Sequence, residues 1–112
     1  MKQYELWLAN LNPTGGTEPG KIRPVVVVQT NLLNQTNHPS TLICSITSNI
    51  SSEENILRVR LKKVESGLDQ ESEVLTDQIR ALDNRRLIEK LGILSPNQII
   101  ELRDKLKAIL DF

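Results

Sequence analysis

The segment from residue 12 to residue 29, NPTGGTEPGKIRPVVVVQ, concentrates charged side chains in a loop that runs into four consecutive valines. It carries one carboxylate, Glu18, and two cations, Lys21 and Arg23. A carboxylate can accept a proton, and a guanidinium stays charged and offers a planar fork of donors to phosphate oxygens. Glycines and prolines in the same segment permit tight turns and restrict the backbone. The segment therefore predicts a loop that holds charges at the start of a buried strand.

A second group of cations occupies alternate positions of residues 57–62, LRVRLK. Arg58, Arg60 and Lys62 would face outwards from a strand, at intervals of about 6.6 Å. We estimate this interval to be close to the spacing of phosphates in an extended nucleic-acid strand. Charges that protect a solvated edge strand from aggregation would show the same pattern, so both interpretations stay open. The apolar residues expected to face the core are Leu57, Val59 and Leu61.

The composition indicates one globular domain. The chain has 112 residues, 38% of them hydrophobic, and its 14 basic residues balance 14 acidic ones. This balance argues against a protein that coats nucleic acid by bulk electrostatics, but it leaves room for a local basic groove. The single cysteine, Cys44, lies in an apolar run and is expected to be a buried small hydrophobic side chain. One cysteine and one histidine are too few for a structural zinc site.

The chain shows no apolar stretch of transmembrane length and no signal-peptide core at its N-terminus. Its lone cysteine cannot form an internal disulfide. We therefore expect a cytoplasmic protein with no membrane partner, no metal and no cofactor.

Alternation and turn signals predict a mainly β chain. Strands are expected at residues 4–10, 24–29, 41–47, 57–62 and 72–82, the last as one bent strand or a pair. Residues 24–29 are apolar and β-branched enough for a central strand. The connections are a turn-rich segment with a short helical turn at residues 31–40, a polar loop at residues 49–55, and a turn around Gly67.

One helix is predicted to end the chain. Ser95 is a suitable N-cap, Pro96 occupies the first helical position, and Gln98 is the reciprocal capping partner. The apolar stripe that follows consists of Ile99, Leu102, Leu106, Ile109 and Leu110. Asp83 is predicted to cap a shorter helix ending at Leu87. Short strands closed by one helix suggest a small barrel packed on that helix.

Four segments resemble the MazF/PemK (Kid) family of toxin endoribonucleases. WLANLNPTGGTEPGKIRPVVVVQ is similar to the family's first strand and its N-P-T-x-G-[ST]-E-x-G-x-x-R-P-V-V-V-x-Q pattern. CSITS, at residues 44–48, is similar to its third-strand segment, and GLDQESEVLTDQIRALD, at residues 67–83, to its G-L-x-x-x-S-x-V-L-x-D-Q-I-R-x-x-D segment. RLIEKLGILS and the terminal helix are similar to its ending. The resemblance implies a single MazF/PemK-like domain over residues 1–112, an SH3-like barrel of about six to seven strands with a C-terminal helix, normally a two-fold dimer.

The resemblance also implies a reaction, the metal-independent and sequence-specific cleavage of single-stranded mRNA, which would block translation and growth. RNA carries its own nucleophile, the 2′-OH. Attack by this oxygen leaves a 2′,3′-cyclic phosphate and a 5′-OH. The reaction needs a base for the 2′-OH, stabilisation of the phosphorane charge, and a proton for the leaving 5′-oxygen.

Three residues match the family's catalytic positions. Arg23 would stabilise the transition-state charge, unless it is a structural residue paired with Asp77 or Glu18. Thr47 matches the threonine that acts with this arginine, and its hydroxyl can donate to the scissile phosphate. Glu18 would either accept the 2′-OH proton or orient Arg23.

Further residues are candidates for RNA binding. Thr17 keeps the hydroxyl of the serine present in many members, and Asp77 would act as an acid, a base or a base reader. Pro19 replaces a common glutamine and Leu75 an arginine found in some members, so contacts of those side chains are not expected here. The loops 31–40 and 49–55 are expected to choose the RNA motif. The full set of RNA-binding candidates is Thr17, Lys21, Asp77, Gln78, Arg80, Arg58, Arg60 and Lys62.

The family further implies a cognate MazE-like antitoxin whose acidic, disordered segment folds across the RNA groove. The cations of residues 57–62 would receive it, and operator DNA would be bound only through the antitoxin complex. Two alternatives stay open: a CcdB-like toxin that shares the fold but binds DNA gyrase and cuts nothing, and an inactive binding relative. Glu18, Arg23 and Thr47 favour the ribonuclease, because a gyrase-binding toxin does not need them.

Overall fold

Six antiparallel strands form one sheet in the part of the chain that the computed structural model describes, residues 1–11, 21–50, 57–62 and 67–112. In chain order the elements are β1 (Glu5–Asn10), β2 (Ile22–Val27), a one-turn helix α1 (Asn31–Asn34), β3 (Ser40–Thr47), β4 (Arg58–Leu61), β5 (Ser72–Asp83), a 3-10 turn (Asn84–Arg86), β6 (Leu87–Ile93) and α2 (Pro96–Leu110). The spatial order is β4-β5-β3-β2-β1-β6. The prediction of a mainly β fold ending in a helix is confirmed.

The middle of the sheet is buried on both faces. Val26 belongs to the cluster between the sheet and α2, here called the barrel core, whereas Val25 and Val27 belong to an outer cluster with Ile43 and Leu82. All three valines are fully buried, which explains the uninterrupted apolar run and confirms the central position predicted for this strand. The barrel core consists of Leu6, Val26, Cys44, Ile46, Val59, Leu61, Leu68, Val74, Leu94 and Leu102.

Helix α2 begins as its sequence predicts. The Ser95 hydroxyl accepts from the Gln98 amide at 3.3 Å, and the Gln98 side chain accepts from the Ser95 amide at 2.8 Å. Leu102 is fully buried in the barrel core, against which Leu106 packs. The predicted apolar stripe is wrong at its end, because Leu110 in the last turn is 48% exposed. Neither helix in the described ranges is long and apolar enough to cross a bilayer.

Some boundaries differ from the sequence predictions. β4 starts at Arg58, and Leu57 is 37% exposed rather than in the core, although Val59 and Leu61 are fully buried as expected. Residues 72–83 form one strand, which confirms the bent-strand alternative. Asp83 caps the following turn by accepting from the Arg85 amide at 2.9 Å, but that turn ends one residue before Leu87. Most of the predicted loop 49–55 lies outside the described residues.

Strand β6 has no counterpart in the sequence prediction. Its pairing with β1 shifts register twice, between Leu6 and Trp7 and between Leu8 and Ala9. Each shift breaks the two-residue alternation that identifies a strand in a sequence. LIEKLGI consequently lacks the regular pattern, even though it forms one edge of the sheet.

The chain closes the barrel at Gly67. This residue has φ 75, in the left-handed region, and a Cβ placed on it would overlap the Leu91 carbonyl of β6. Directly after it, Leu68 enters the barrel core and is 7% exposed. The turn predicted around Gly67 is therefore also the point where the segment after β4 meets the opposite edge of the sheet.

We expect Gly67→Ala to destabilise the fold by about 1–3 kcal/mol, because it adds both a strained dihedral and a steric conflict with Leu91. Gly67→Asn separates the two causes, since Asn adopts positive φ more readily but also carries a Cβ. Denaturant unfolding of both variants measures the effect. If Asn restores wild-type stability, the close approach to Leu91 is not the constraint.

A buried carboxylate fastens β1 to β6. Glu5 is 5% exposed and accepts from the Lys90 ammonium at 2.9 Å, the Lys2 amide at 2.7 Å and the Trp7 indole at 3.2 Å. Burial by itself raises the pKa of the Glu5 carboxyl, but the hydrogen bonds from Lys90, Lys2 and Trp7 and the charge of Lys90 bring that pKa below its ordinary value. The folded state therefore favours ionised Glu5, which stabilises the fold above a pH near the unfolded pKa of 4.5.

We expect Glu5→Gln to lower the free energy of unfolding at pH 7 by about 1–2 kcal/mol, because a charge-assisted bond is lost. The difference from wild type should shrink as the pH falls through the folded pKa of Glu5, where the wild-type carboxylate is also protonated. Unfolding curves between pH 3 and pH 7 test this. Glu89→Gln, at an exposed carboxylate on the same strand as Lys90, is the control and should show no such pH dependence.

Candidate active site

A surface depression of about 430 Å³ lies where β2 begins and β3 ends. The register pairs Val25 with Ser45, and continuing it by two residues sets Arg23 opposite Thr47. Both of these side chains line the depression, here called the Arg23–Thr47 depression. Its described lining is Leu11, Arg23, Ser45, Ile46, Thr47, Ser48, Asn49, Leu75 and Gln78.

The pairing of β2 with β3 stops at Val25, next to the depression. The Val28 amide donates to the Leu42 carbonyl, so every second residue of β2 from Val28 back towards Pro24 directs its amide towards β3. Pro24 stands at such a position and has no N–H to donate. The ladder between β2 and β3 therefore ends at the pair of Val25 and Ser45, two residues before Arg23 and Thr47.

A bulge in β5 forms another wall of the depression. Cys44 pairs with Ile79 and Ile46 with Val74, so Ser45 alone on β3 faces the four residues 75–78 on β5. Bulges bend a strand and redirect its side chains. Within this one, Leu75 and Gln78 reach the depression. The bulge is fixed from the other side, because the Thr76 amide and hydroxyl both donate to the Leu57 carbonyl of the chain entering β4.

The catalytic candidates Arg23 and Thr47 are both placed for contact with a ligand. Arg23 is exposed, and within the described ranges it forms no salt bridge, including none with Asp77, the structural alternative considered from the sequence. The Thr47 hydroxyl oxygen accepts from the Asn49 amide at 3.1 Å, so its own proton remains available for donation. Glu18 and Thr17 lie outside the described residues, and their roles stay predictions.

The candidate residues of the D-Q-x-R segment, Asp77, Gln78 and Arg80, do not all line the depression. Gln78 lines the depression and Asp77 does not, although both lie in the bulge. Burial raises the pKa of the Cys44 thiol to about 12, and the nearby Asp77 carboxylate adds to this effect, so Cys44 stays a neutral core side chain as predicted. Arg80 pairs with Ile43, on the face of β3 that also carries Thr47, about 13 Å along the strand.

The predicted basic face of β4 contains carboxylate partners. Arg58 Nη1 lies 3.0 Å from Glu73 Oε1, and Arg60 lies 3.5 Å from Glu73 and 3.6 Å from Glu71. Two cations thus face two carboxylates, which reduces the positive potential of this surface. Lys62 and Lys21 are exposed at the ends of their segments. Their contribution to RNA binding, like that of Arg58 and Arg60, stays a prediction.

The loop of residues 31–40 lies at the opposite end of the β2–β3 hairpin from the depression. Thr41, the residue after this loop, is six residues from Thr47 along β3, or about 20 Å. The Gln29 side chain donates to Asn34 at 3.0 Å and to the Ser40 carbonyl at 3.2 Å, which holds both ends of this loop together. Within one copy of the chain, this loop, one of the two expected to choose the RNA motif, is therefore remote from Arg23.

Ser45, Ser48 and Asn49 line the depression but were not identified from the sequence. Ser45 stands two residues before Thr47, so strand alternation alone could have placed it on the same face. Asn49 has no comparable signal, because its position depends on the turn after β3. In the ranges that the structure covers, no group of three or more His, Cys, Asp or Glu side chains is arranged to hold a metal ion.

Comparison with known proteins identifies the family. The model of the PemK-like, MazF-like toxins of type II toxin–antitoxin systems matches residues 2–110. Endoribonuclease MazF of Staphylococcus epidermidis is 36% identical over 106 residues, covering 95% of this chain and 88% of that protein. The Endoribonuclease MazF of Staphylococcus saprophyticus is 36% identical over 104 residues, covering 93% and 86%.

Solved structures agree in fold. The structure of MazE-MazF (Form-II) from Deinococcus radiodurans matches with a TM-score of 0.82 and 27% identity, covering 100% of this chain and 96% of that chain. Mycobacterium tuberculosis toxin MazF-mt6 matches with a TM-score of 0.79 over 96% and 97% of the two chains, at 20% identity. The resemblance proposed from the sequence is therefore confirmed: this chain belongs to the PemK-like, MazF-like toxins of type II toxin–antitoxin systems.

Proposed function

We propose that this toxin is an endoribonuclease that cleaves single-stranded RNA at the Arg23–Thr47 depression. The observation that carries the proposal is the meeting of Arg23 and Thr47 at one surface depression, although they belong to different strands. The name Endoribonuclease MazF, borne by relatives 36% identical over most of the chain, supports the same enzyme class. A CcdB-like gyrase-binding toxin is not favoured, because such a protein has no need for a paired guanidinium and hydroxyl.

In the proposed mechanism, the 2′-oxygen of RNA attacks the adjacent phosphorus while the bond from phosphorus to the 5′-oxygen breaks. The Arg23 guanidinium donates to the non-bridging oxygens as negative charge develops on them. The Thr47 hydroxyl donates a further hydrogen bond and holds the phosphate in register. Glu18 accepts the 2′-OH proton, or it orients Arg23 while water accepts that proton, and the leaving 5′-oxygen takes up a proton from the Arg23 guanidinium or from water. The products are a 2′,3′-cyclic phosphate and a 5′-OH, and no step requires a metal ion.

Side chains around the depression would bind the RNA strand. Gln78 has an amide that can both donate and accept, which suits it to reading a base edge. Single-stranded RNA is the expected substrate, because its bases are free to reach such a group. We expect Lys21 and Arg80, both exposed, to contact phosphates of the RNA strand.

The proposal includes the partners expected for this family. A MazE-like antitoxin is supported by the solved MazE-MazF complexes of Deinococcus radiodurans. We further infer a two-fold homodimer in the cytoplasm, where mRNA is available, and contact with operator DNA only through the antitoxin complex. An acidic antitoxin segment would compete with RNA for the cations around the depression.

We expect Arg23→Ala to reduce cleavage of a long single-stranded RNA by about a hundredfold or more, because one preorganised donor to the developing charge is lost. The assay contains EDTA, and the ends are tested for 2′,3′-cyclic phosphate. Arg103→Ala removes an exposed arginine from α2 and should leave the rate unchanged. If wild-type protein cleaves none of several RNAs of varied sequence, the ribonuclease proposal fails.

A further inference from the structure

A chain of hydrogen bonds connects a buried carboxylate to the Thr47 hydroxyl. Arg58 Nη1 donates to Glu73 Oε1 at 3.0 Å and to the Asn49 carbonyl at 3.1 Å. The amide of the same Asn49 donates to Thr47 Oγ1 at 3.1 Å. Arg58 therefore holds the residue whose backbone fixes the hydroxyl, although Arg58 belongs to a different strand.

The carboxylate at the start of this chain is itself firmly placed. Glu73 has a side chain that is 7% exposed, and it lies opposite both Thr47 on β3 and Arg60 on β4. Charge-assisted hydrogen bonds in such a sheltered position are stronger and more directional than ion pairs in water. Both bonds leave the same nitrogen of Arg58, Nη1, whose two N–H groups point in directions fixed by the plane of the guanidinium, whereas the three N–H donors of a lysine ammonium rotate.

We propose that Arg58 and Glu73 are a positioning pair, which sets the turn after β3 and thereby orients the Thr47 hydroxyl towards the scissile phosphate. This inference rests on the proposed ribonuclease function. The bond from the Asn49 amide occupies a lone pair of Thr47 Oγ1 and so restricts the directions in which the hydroxyl can donate. Asn49 follows the end of β3, and the Arg58 guanidinium anchors its carbonyl to β4 and β5. Small displacements of a group that contacts the reacting atoms are costly in rate.

The pair gives Arg58 a role different from the phosphate contact predicted from the sequence. The two roles predict opposite results for Glu73→Gln. If Arg58 binds phosphate, removing the competing carboxylate charge releases its guanidinium and lowers KM. If Arg58 positions Asn49, the same change loosens Thr47 and lowers kcat with little effect on KM.

The test measures kcat and KM on a short single-stranded RNA for wild type, Glu73→Gln and Arg58→Lys. We expect kcat to fall about tenfold or more in both variants and KM to change less than about twofold. The double variant should be no slower than the slower single variant, because both changes break the same connection. Arg85→Gln is the matched control, since Arg85 also pairs with a carboxylate, Asp83 at 2.9 Å, at the far end of the sheet. It should retain wild-type kcat and KM.

A second measurement needs no RNA. Amide hydrogen exchange at Asn49 should be faster in Glu73→Gln and Arg58→Lys than in wild type, and unchanged in Arg85→Gln. Thermal unfolding of each variant shows that the fold is retained. Unchanged exchange at Asn49 in both variants would overturn the positioning pair, as would an unaltered kcat or a lowered KM in Glu73→Gln.

The two measurements also separate this inference from the proposed function. Wild-type protein that cleaves no RNA, while Asn49 exchange responds as expected, would refute the ribonuclease and with it the catalytic purpose of the pair. Wild-type cleavage that is lost in Thr47→Val but retained in Glu73→Gln would refute the pair and leave the ribonuclease intact.

Discussion

The antiparallel pairing of β2 with β3 is the constraint on which the site depends. Its register, fixed by Val25 opposite Ser45, places Arg23 and Thr47 across from each other at the open end of the hairpin. Fully buried side chains on both faces of these strands, among them Val25, Val26 and Ile43, hold the hairpin in the middle of the sheet. A buried part of the chain thus determines the relative position of two candidate catalytic residues at the surface.

Residues of the neighbouring strands complete the depression at the open end of the β2–β3 hairpin. The bulge in β5 supplies Gln78 and Leu75 to the depression without disturbing the pairing of Ile46 with Val74 below it. From the other edge, Arg58 reaches across to the turn after β3. The site is therefore assembled at strand ends and irregularities, where side chains can vary at little cost to the barrel core.

Strong local signals in the sequence predicted much of this structure. The start of α2 was predicted correctly, because Ser95, Pro96 and Gln98 act within a single turn of helix. The central position of β2 was also predicted correctly, because burial alone explains its run of valines. The family motifs brought Arg23 and Thr47 together as candidates, and the structure places both in one depression. Strand β6 was not predicted, because its pairing with β1 shifts register twice and its sequence lacks a regular two-residue alternation.

The charged residues of β4 show a second limit of sequence reasoning. Arg58, Arg60 and Lys62 form a regular cationic pattern on their own strand, whereas Glu71 and Glu73 belong to the neighbouring one. Which cations meet which carboxylates depends on cross-strand register, which is a tertiary property. The contact between Asn49 and Arg58 could not be predicted either, because it joins segments that are separate in the sequence.

Pro24 removes a hydrogen bond from the sheet at the place where the Arg23–Thr47 depression opens. A residue with an amide N–H at this position could extend the ladder between β2 and β3 beyond Val25 and add a hydrogen bond to the sheet. The same bond would draw Arg23 and Thr47 together and narrow the depression that we propose receives a phosphate. The fold is thus kept below the stability available to it at this point, and a search for more thermostable variants of this toxin would select against the opening at which we propose that RNA is cleaved.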